Sequence, residues 1–312
     1  MMYLITGGAG FIGSNIAREA IARGMEVRIL DNFSTGHWQN LSDIRDSIDV
    51  VEGDIRSYHI VRNAMEGVQV VFHQGALPSV PRSIADPITS NEVNVQGTLN
   101  ILHAALDAKC RRVLFASSSS IYGDAPEQVK HENLHVRPLS PYAVSKLAGE
   151  KYMQVFHHIY GLETVALRYF NVFGPYQDPN SPYSAVIPLF IRSYLEDRPP
   201  VINGDGTQSR DFTFIDNVVH ANLLAAHAPD AAGRVMNVAC GGSITVNHLA
   251  SEIGRLTGRS GLKPEYGPSR PGDVMHSRAD IELARELLDY HPVTTFEEGL
   301  EKTVSFMRRR RG

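Results

Sequence analysis

The stretch YLITGGAGFIGSNIAREAIARG, residues 3–24, decides the class of fold. It begins with an apolar, β-rich run, continues through a glycine-rich loop and ends in a helical pattern. Gly7, Gly10 and Gly13 are spaced three apart, and Gly8, Gly10 and Gly13 also fit the pattern GxGxxG. Glycines let the backbone turn tightly and approach a pyrophosphate, whose charge the N-terminus of the following helix stabilises. The stretch therefore predicts the first strand, loop and helix of a dinucleotide-binding fold.

The same alternation of strands and helices continues through the first half of the chain. Further apolar runs follow, namely EVRILD, DVVEGD, VQVVFHQG, RVLFASSS and ETVALRYFN. Helical patterns occur at Phe11–Arg23, Ser57–Met65, Ser90–Ala108 and Tyr142–Tyr160. Strands separated by helices indicate a parallel sheet that is covered on both faces. We therefore predict an α/β protein with a Rossmann-type doubly wound parallel sheet.

The pattern becomes less regular after Asn171. The segments GPYQDPNSPYS and LEDRPPVINGDGTQSRD are rich in Pro, Gly, Asn and Asp, so they are predicted to be long loops. Loops of this length in a compact chain tend to bind ligands. The prediction is a Rossmann domain over residues 1–170, to which residues 211–239 return, and a smaller C-terminal substrate-binding lobe over most of residues 171–312.

Composition excludes several classes of protein. The chain has 312 residues, of which 43% are hydrophobic and 21% charged, and a formal net charge of −4 that argues against nucleic acid as the partner. Two cysteines are too few for a disulfide framework or a cysteine metal site, and no His/Asp/Glu cluster has metal-ligand spacing. No apolar run is long enough to span a membrane, and the N-terminus has no signal-peptide pattern. We expect a cytoplasmic protein without metal, nucleic acid or membrane partner.

The second predicted strand ends in Asp31, about twenty residues beyond the glycine loop. An acidic residue at this place accepts hydrogen bonds from the adenosine ribose hydroxyls and repels a 2′-phosphate. The sequence therefore favours NAD over NADP as the cofactor.

Two further motifs indicate proton chemistry. In SPYAVSK, residues 140–146, Tyr142 and Lys146 lie one turn apart on one helix face. A free phenol titrates near pH ~10, and a neighbouring ammonium and a nicotinium ring should both lower the pKa of Tyr142. In LFASSSSIYGD, residues 114–124, four serines end a predicted parallel strand on the ligand side of the sheet. A hydroxyl there can bridge the phenolate and a substrate alcohol.

With these motifs the whole chain resembles the extended short-chain dehydrogenase/reductase family, and within it the UDP-sugar 4-epimerases. The resemblance rests on TGGAGFIG, Asp31, GDI at 53–55, NVQGT at 94–98, SSSSIYGD, SPYAVSK, LRYFNVFGP, SRDFTFIDNV and RPGDV. The tracts VPRSIADPIT, FNVFGPYQDPNSPYSAVIP and INGDGTQSRDF are especially similar to bacterial UDP-N-acetylglucosamine 4-epimerases. The resemblance implies 4-epimerisation with tightly bound NAD, through a transient 4-keto sugar to which hydride returns from the opposite side.

The resemblance also implies roles for individual residues. Tyr142 would be the base for the sugar 4-hydroxyl, and Lys146 would hold the NAD ribose. Ser118, four residues before Tyr122, would relay the proton, with Ser119 as the neighbouring candidate. The residues implied to bind NAD are Gly7, Gly10, Phe11, Ile12, Gly13, Asp31, Asn32, Asp54, Ile55, Asn94, Ser117, Tyr142, Lys146 and Tyr169. Those implied to bind the UDP-sugar are Ser79, Ser118, Ser119, Asn171, Gln177, Ala185, Arg210, Arg270, Asp273 and Ser277.

Related chemistries on this scaffold remain as alternatives. In 4,6-dehydratases and UDP-glucuronate decarboxylases, acids follow the catalytic hydroxyl, whereas this chain has Ser119 and Ser120. A hydroxyl cannot replace a carboxylate acid–base group, so dehydration is disfavoured and decarboxylation less firmly so. A UDP-glucose or UDP-glucuronate 4-epimerase stays open. A non-catalytic NAD-binding regulator is the alternative from another class, and intact Ser118, Tyr142 and Lys146 argue against it.

The choice of hexose depends on Ser277, which matches the gate residue of the family. A small side chain leaves room for a 2-acetamido group, and Gln177, Ala185 and Ser79 are implied to line the same pocket. The expected substrates are UDP-N-acetylglucosamine (UDP-GlcNAc) and UDP-N-acetylgalactosamine (UDP-GalNAc), with UDP-glucose and UDP-galactose also accepted. The tract HQGA at 73–76 departs from the family, which more often has alanine at one of its two central positions, and so leaves the nicotinamide contacts open.

The relatives form dimers through a four-helix bundle, so the resemblance implies a homodimer built from the helices at Ser90–Ala108 and Tyr142–Tyr160. The terminal RRRRG is predicted to be the solvated end of a helix, where cations suit the helix dipole. A contact with an acidic surface is the alternative.

Overall fold

The computed structural model describes residues 1–179, 185–269 and 275–310. The strands in these ranges are β1 (Met2–Thr6), β2 (Glu26–Asp31), β3 (Ile48–Glu52), β4 (Val70–His73), β5 (Arg112–Ser118), β6 (Val129–Lys130), β7 (Glu163–Tyr169), β8 (Val172–Phe173), β9 (Val201–Asn203), β10 (Ser209–Arg210), β11 (Thr213–Phe214), β12 (Arg234–Val238), β13 (Ile244–Thr245), β14 (Glu265–Gly267) and β15 (His276–Ala279). The helices are α1 (Phe11–Ala22), α2 (Tyr58–Ala64), α3 (Val80–Ala85), α4 (Pro87–Asn91), α5 (Gly97–Asp107), α6 (Pro141–Tyr160), α7 (Val186–Leu195), α8 (Ile215–Ala225), α9 (Val246–Thr257), α10 (Glu282–Leu288) and α11 (Phe296–Arg309).

Seven of the described strands form one central sheet in the order β3-β2-β1-β4-β5-β7-β12. Every neighbouring pair in this sheet is parallel. The chain starts in the middle at β1, runs outward to β3, and then crosses to β4 on the other side of β1. This reversal opens a crevice at the carboxyl ends of β1 and β4, where doubly wound sheets bind ligands.

Both faces of the sheet are covered, because neighbouring residues of a strand point to opposite sides. In β1, Ile5 packs into the core that contains Ile16 of α1, whereas Leu4 packs into the core that contains Val61 of α2 and Ile101 of α5. Each of these side chains is fully buried, and burying one stabilises the fold by about 1.5–3 kcal/mol. The predicted Rossmann-type doubly wound α/β fold is confirmed.

The helix predicted at Ser90–Ala108 is interrupted. The structure has α4, then a π-helical turn over Glu92–Gln96, and then α5. The wider turn brings Asn94 to the loop after β4, where its amide accepts from Leu77 N (2.8 Å) and donates to Leu77 O (3.1 Å) and Ser145 Oγ (3.0 Å). A regular helix would turn this side chain elsewhere, so the tertiary contact favours the π turn.

The second half of the chain contains short strands and also completes the central sheet. Strands β13, β10 and β15 form a four-stranded sheet with β6 of the first half, in the order β13-β10-β15-β6, and the other short strands form the pairs β8–β11 and β9–β14. Strand β12 pairs with β7 of the central sheet, with Val235 opposite Ala166. No helix in the described ranges is long and apolar enough to cross a membrane.

Candidate active site

A cavity of about 600 Å³ lies at the carboxyl ends of the central strands, in the crevice opened by the chain reversal. Several chain segments that are distant in sequence meet there. The predicted site residues that line it are Gly7, Gly10, Phe11, Ile12, Gly13, Asp31, Asn32, Asp54, Ile55, Ser79, Ser117, Tyr142, Lys146, Tyr169, Gln177 and Ala185.

The glycine loop between β1 and α1 has no room for side chains. Gly7 has φ +67°, and a Cβ added to it would lie 2.8 Å from the backbone of Gly75. A Cβ on Gly13 would lie 2.3 Å from the Gly7 carbonyl oxygen. Glycine is therefore required for the loop to pack this closely on its own backbone, and the loop and the N-terminus of α1, with its partial positive charge, face the cavity.

Asp31 lies at the end of β2 with its carboxylate held in place. Its two oxygens accept from Ala9 N (2.9 Å) and Phe33 N (2.8 Å). Burial raises the pKa of Asp31, and these two backbone hydrogen bonds oppose the rise. Beside it, Asn32 donates to the carboxylate of Asp54 (2.9 Å). The edge of the cavity therefore offers fixed acceptors that suit the hydroxyls of a ribose.

Helix α6 presents Tyr142 and Lys146 on the face that meets the cavity. The helix begins cleanly because Ser140 caps Ala143 N and Pro141 occupies its first turn. Lys146 is 4% exposed, and its ammonium donates to Ala116 O at 2.8 Å. Burial lowers the pKa of Lys146 to about 7. An ammonium has three donors, so in the described structure two of them remain available to a ligand.

The expected lowering of the Tyr142 pKa by Lys146 is wrong for the groups of the protein itself. Burial raises the pKa of Tyr142, and the opposing interaction is a hydrogen bond with Ser118. The Lys146 ammonium lies 5.9 Å from the centre of the Tyr142 ring and bonds to the main chain instead. The pKa of Tyr142 must therefore be lowered by Ser118 and by a ligand that binds beside Lys146.

The four serines take different roles. Ser117 donates to Glu150 Oε1 at 2.5 Å, so its hydroxyl is used inside the protein although the residue lines the cavity. Ser118 contacts Tyr142 and accepts from Ser120 N at 3.2 Å. Ser119 begins the short 3₁₀ turn Ser119–Tyr122 and does not line the cavity in the described structure. Ser120 Oγ is buried without a hydrogen-bond partner among the described atoms.

Ser79, Gln177 and Ala185, which are predicted to bind the sugar, line the cavity. Ser79 has φ +103° and caps α3 by accepting from Arg82 N at 3.3 Å. Gln177 donates from Nε2 to Val172 O (3.3 Å), whereas its Oε1 is buried and lacks a partner among the described atoms. A buried amide oxygen in a ligand cavity is an acceptor for a substrate N–H or O–H.

Other predicted residues do not line the cavity in the described structure. Asn94 holds the Leu77 loop, and Asn171, with φ 34°, donates to Asp211 O at 3.2 Å. Arg210 in β10 pairs in register with Ser277 in β15, in the four-stranded sheet. The predicted UDP ligands Arg270 and Asp273 lie outside the described residues.

Two residues of the HQGA tract take defined places. Gln74 lines the cavity and accepts from the Tyr169 hydroxyl at 3.2 Å. Gly75 N donates to Thr6 Oγ1 at 3.0 Å. The same hydroxyl lies 3.0 Å from Asn222 Oδ1 as an alternative acceptor for its single proton, so Gln74 extends a buried polar network at this wall.

The cavity also contains residues that were not predicted. Ser34, Thr35 and His37 follow β2 directly, and a signal was present in the polar NFSTGH after Asp31. Arg82, Tyr176 and Asp178 reach the cavity from loops and a short helix. Tyr176 and Asp178 belong to the loop GPYQDPNSPYS, which was predicted to bind ligand, but no local pattern singles out these two residues or Arg82, because their placement depends on tertiary contacts.

The residues present fit a dinucleotide. The glycine loop lines the cavity at the N-terminus of α1, Asp31 supplies acceptors, and Lys146 places a buried amine beside the cavity. The described ranges contain no group of three or more His, Cys, Asp and Glu residues that could hold a metal ion.

Comparison with known proteins gives consistent results. The family model "NAD dependent epimerase/dehydratase family" matches residues 3–239. The UDP-glucose 4-epimerase of Mycolicibacterium smegmatis is 37% identical over 312 residues, covering 99% of each chain. The solved UDP-N-acetylglucosamine 4-epimerase from Methanobrevibacter ruminantium M1, in complex with UDP-N-acetylmuramic acid, is 40% identical with a TM-score of 0.94, covering 99% of this chain and 98% of that one. The UDP-glucose 4-epimerase of Thermus thermophilus in complex with NAD is 35% identical with a TM-score of 0.89, covering 99% of each chain.

Proposed function

We propose that this chain, which belongs to the NAD dependent epimerase/dehydratase family, acts on UDP-GlcNAc and UDP-GalNAc and also accepts UDP-glucose and UDP-galactose. Its activity is that of an NAD-dependent UDP-sugar 4-epimerase, an isomerase. The site residues predicted above are part of the same proposal.

Proton transfer is the task of Tyr142 and Ser118. When bound, NAD supplies the reversible removal and return of hydride at C4 of the sugar. Tyr142 takes the proton from the 4-hydroxyl and returns it, and Ser118 shares that proton through its hydrogen bond with the phenol. Lys146, buried beside them, holds ribose hydroxyls of the bound cofactor, and the phenolate is favoured by Ser118 and by the charge of the bound nicotinium ring.

The absence of acids beside Ser118 supports epimerisation. Ser119 and Ser120 stand where dehydration or decarboxylation would need carboxylates. Asp178 does line the cavity, but it faces His37 at 3.8 Å at the solvent-exposed rim. It therefore does not replace the missing acid–base groups near Tyr142.

The observation that carries the choice of sugar is the lining of the cavity by Ser79, Gln177 and Ala185. Two of these side chains are small and leave space beside the sugar. The buried Gln177 Oε1 suits the N–H of a 2-acetamido group. A site of this kind accepts the acetamido group and tolerates a hydroxyl in its place.

An assay of purified protein with a panel of UDP-sugars tests this choice. We expect interconversion of UDP-GlcNAc and UDP-GalNAc, with lower activity on UDP-glucose and UDP-galactose. Ser277→Tyr should remove the N-acetyl activity selectively. Good turnover of UDP-galactose with none of UDP-GalNAc would refute the proposed pocket. Equal loss of activity on both substrate pairs in Ser277→Tyr would show that Ser277 does not select the substrate.

Arg82 favours a second candidate, UDP-glucuronate 4-epimerisation, because a cation that lines the cavity could face a sugar carboxylate. UDP-glucuronate therefore belongs in the same panel. If it is the preferred substrate and Arg82→Gln raises its KM but not that of UDP-GlcNAc, this second candidate replaces the first.

Tyr142→Phe tests whether the proposed base does the chemistry. The change removes only a hydroxyl, so the protein should fold and retain NAD while kcat falls by about 100-fold or more. Undiminished epimerisation by this variant would place the chemistry elsewhere and reopen the interpretation as a binding protein.

A homodimer is also part of the proposal. On α6, Val144, Val155 and Ile159 are 53%, 44% and 63% exposed and form one apolar stripe on the side away from Lys146. The stripe supports pairing of α5 and α6 with a second copy. Light scattering of the purified protein should give twice the mass of one chain, and Ile159→Lys should lower the measured mass towards that of a single chain.

We further propose that residues 1–170 with 211–239 bind NAD and that most of 171–312 binds the sugar. A cytoplasmic location is proposed as well, because Cys110 and Cys240 are unpaired thiols, as expected in a reducing compartment.

A further inference from the structure

Tyr176 adopts an unusual backbone conformation at the edge of the cavity. Its φ is 70°, in the left-handed region that tyrosine seldom occupies. Such strain persists only where surrounding contacts determine it, and it tends to occur at ligand-binding segments. The segment Pro175–Asp178, which we call the strap, contributes Tyr176, Gln177 and Asp178 to the cavity wall.

The Tyr176 ring is held by residues from two distant helices. The Arg18 guanidinium of α1 lies 3.8 Å from the ring centre, and the Phe306 ring of α11 lies 4.7 Å from it. Arg310 at the end of α11 lies 5.6 Å away. Part of the terminal arginine run therefore lies against aromatic rings, which neither prediction for that run had included.

Arg18 is itself fixed to the dinucleotide side of the cavity. It donates to Ser14 O (2.9 Å), to Asn40 O and to the carboxylate of Asp43. Asn40 in turn donates to Ala9 O in the glycine loop at 2.9 Å. A continuous set of contacts therefore runs from the glycine loop through Arg18 to Tyr176.

The strap meets the dinucleotide wall at two more points. Asn15 of α1 donates to Pro175 O at 3.2 Å. Asp178 lies 3.8 Å from His37, which follows β2 and lines the same cavity. The strap thus spans from the sugar side to the loop beside Asp31, across the region that fits a dinucleotide.

We propose that Tyr176 is a positioning residue that slows the release of NAD. The stack of Arg18, Tyr176 and Phe306 holds the strap across the dinucleotide region, so that NAD leaves only when this stack opens. Arg18 and Phe306 act through Tyr176 and do not touch the reacting atoms. The proposal rests on the dinucleotide site and not on which UDP-sugar is the substrate.

The test measures dissociation of NAD from the holoenzyme. Protein loaded with radiolabelled NAD is mixed with excess unlabelled NAD, and the label retained on the protein is followed with time. Tyr176→Ala and Arg18→Met should each release label about tenfold faster, since each removes a cation–aromatic interaction and loosens the packing of the stack. The double variant should be no faster than the faster single variant, because both changes open one stack.

Matched variants separate this role from general loosening. Tyr176→Phe keeps the ring and should release NAD at the wild-type rate. Tyr266→Ala removes an exposed tyrosine of β14, and Arg23→Met removes an exposed arginine that follows α1 and pairs with Glu19, so both should leave release unchanged. Added NAD should restore the kcat of Tyr176→Ala.

Unchanged release from Tyr176→Ala would overturn the proposal, as would equal acceleration by Tyr266→Ala. Release from Tyr176→Phe as fast as from Tyr176→Ala would assign the effect to the hydroxyl and not to the stack. If Tyr176→Ala does not fold, Arg18→Met decides, and wild-type release from that variant overturns the proposal. Because NAD release is measured without sugar, these outcomes are independent of the substrate assays.

Discussion

At the scale of single residues, Lys146 shows a conflict between stability and function. Its ammonium is buried with one hydrogen-bond acceptor, Ala116 O, and the pKa of the side chain falls to about 7. A buried cation is unfavourable for folding until a ligand pairs with it. Selection for activity and selection for stability therefore act in opposite directions on this side chain.

We predict that Lys146→Met abolishes epimerisation and stabilises the protein from which NAD has been removed. The unfolded chain keeps its proton up to pH ~10.4, whereas the folded chain loses it near pH 7, so the wild type is penalised fully below pH 7 and recovers as pH rises. The gain in unfolding free energy should be roughly 4–5 kcal/mol at pH 6 and should shrink towards pH 10.

Urea unfolding of the two proteins at pH 6 and pH 9 measures this gain. Lys151→Met, an exposed lysine of the same helix, is the control and should change little at either pH. A gain of equal size at both pH values, or none at pH 6, would contradict the assigned cause.

Residue identities were predictable where the motif is local. The glycine loop and the pair Tyr142 and Lys146 are set by spacing within one loop or one helix. Their placement together in one cavity agrees with the prediction. Arg82 and Tyr176 were not predictable, because each enters the cavity from a segment whose position depends on packing against distant helices.

At the scale of elements, helix α6 carries a third buried polar side chain, Glu150, on the same face as Tyr142 and Lys146. Glu150 follows Lys146 by one turn and accepts from Arg168 at 2.9 Å through both carboxylate oxygens. It also accepts from Ser117, and Arg168 donates to the Tyr122 hydroxyl at 2.9 Å. The network joins α6 to β5 and β7, and so fixes the helix that bears the proposed base.

We predict that Glu150→Gln destabilises the protein by roughly 3 kcal/mol, because it leaves the buried Arg168 guanidinium without its counter-charge. Glu252→Gln, which breaks the exposed pair with Arg255 in α9, should change stability by less than about 1 kcal/mol. Denaturant unfolding at neutral pH compares the two, and similar losses would mean that burial of the first pair has no special effect.

Element boundaries were predictable from pattern except where tertiary contacts changed the helix itself. The predicted helix at Tyr142–Tyr160 differs from α6 by one residue at its start. The π turn before α5 was not predictable, since the apolar spacing of residues 90–108 fits a regular helix. The π turn is caused by the hydrogen bonding of Asn94 to Leu77, which lies in the loop after β4. Helices α3 and α4 separate this loop from the π turn in the sequence.

At the scale of the whole molecule, the order of the central sheet follows from the sequence, whereas the junction between the central sheet and the short strands β10 and β15 does not. Alternating strands and helices allow few topologies, and the doubly wound one is found. The junction depends on Asp211, whose carboxylate is fully buried and accepts from Cys240 N (3.1 Å) and Ala279 N (3.2 Å). A lone Asp in a loop sequence gives no indication of such burial.

Asp211 should make the stability of the molecule depend on pH in a defined direction. Burial raises its pKa to about 6, against 3.8 for the ordinary side chain, so between these values the folded chain binds more protons than the unfolded one. The contribution of Asp211 to stability is therefore fully present below pH ~4 and is lost as pH rises through about 6. Asp211→Asn tests this dependence, because an amide cannot ionise. Its amide nitrogen meets backbone N–H donors, so the variant should be less stable than the wild type at every pH.

The difference in unfolding free energy between the variant and the wild type should nevertheless shrink by roughly 3 kcal/mol between pH 4 and pH 7. Unfolding free energies of the two proteins across this range check the prediction, and because other carboxyl groups titrate in both, only Asp211 changes the difference. A deficit that stays constant or grows with pH would mean that the hydrogen bonds from Cys240 and Ala279 keep this carboxyl ionised in spite of its burial.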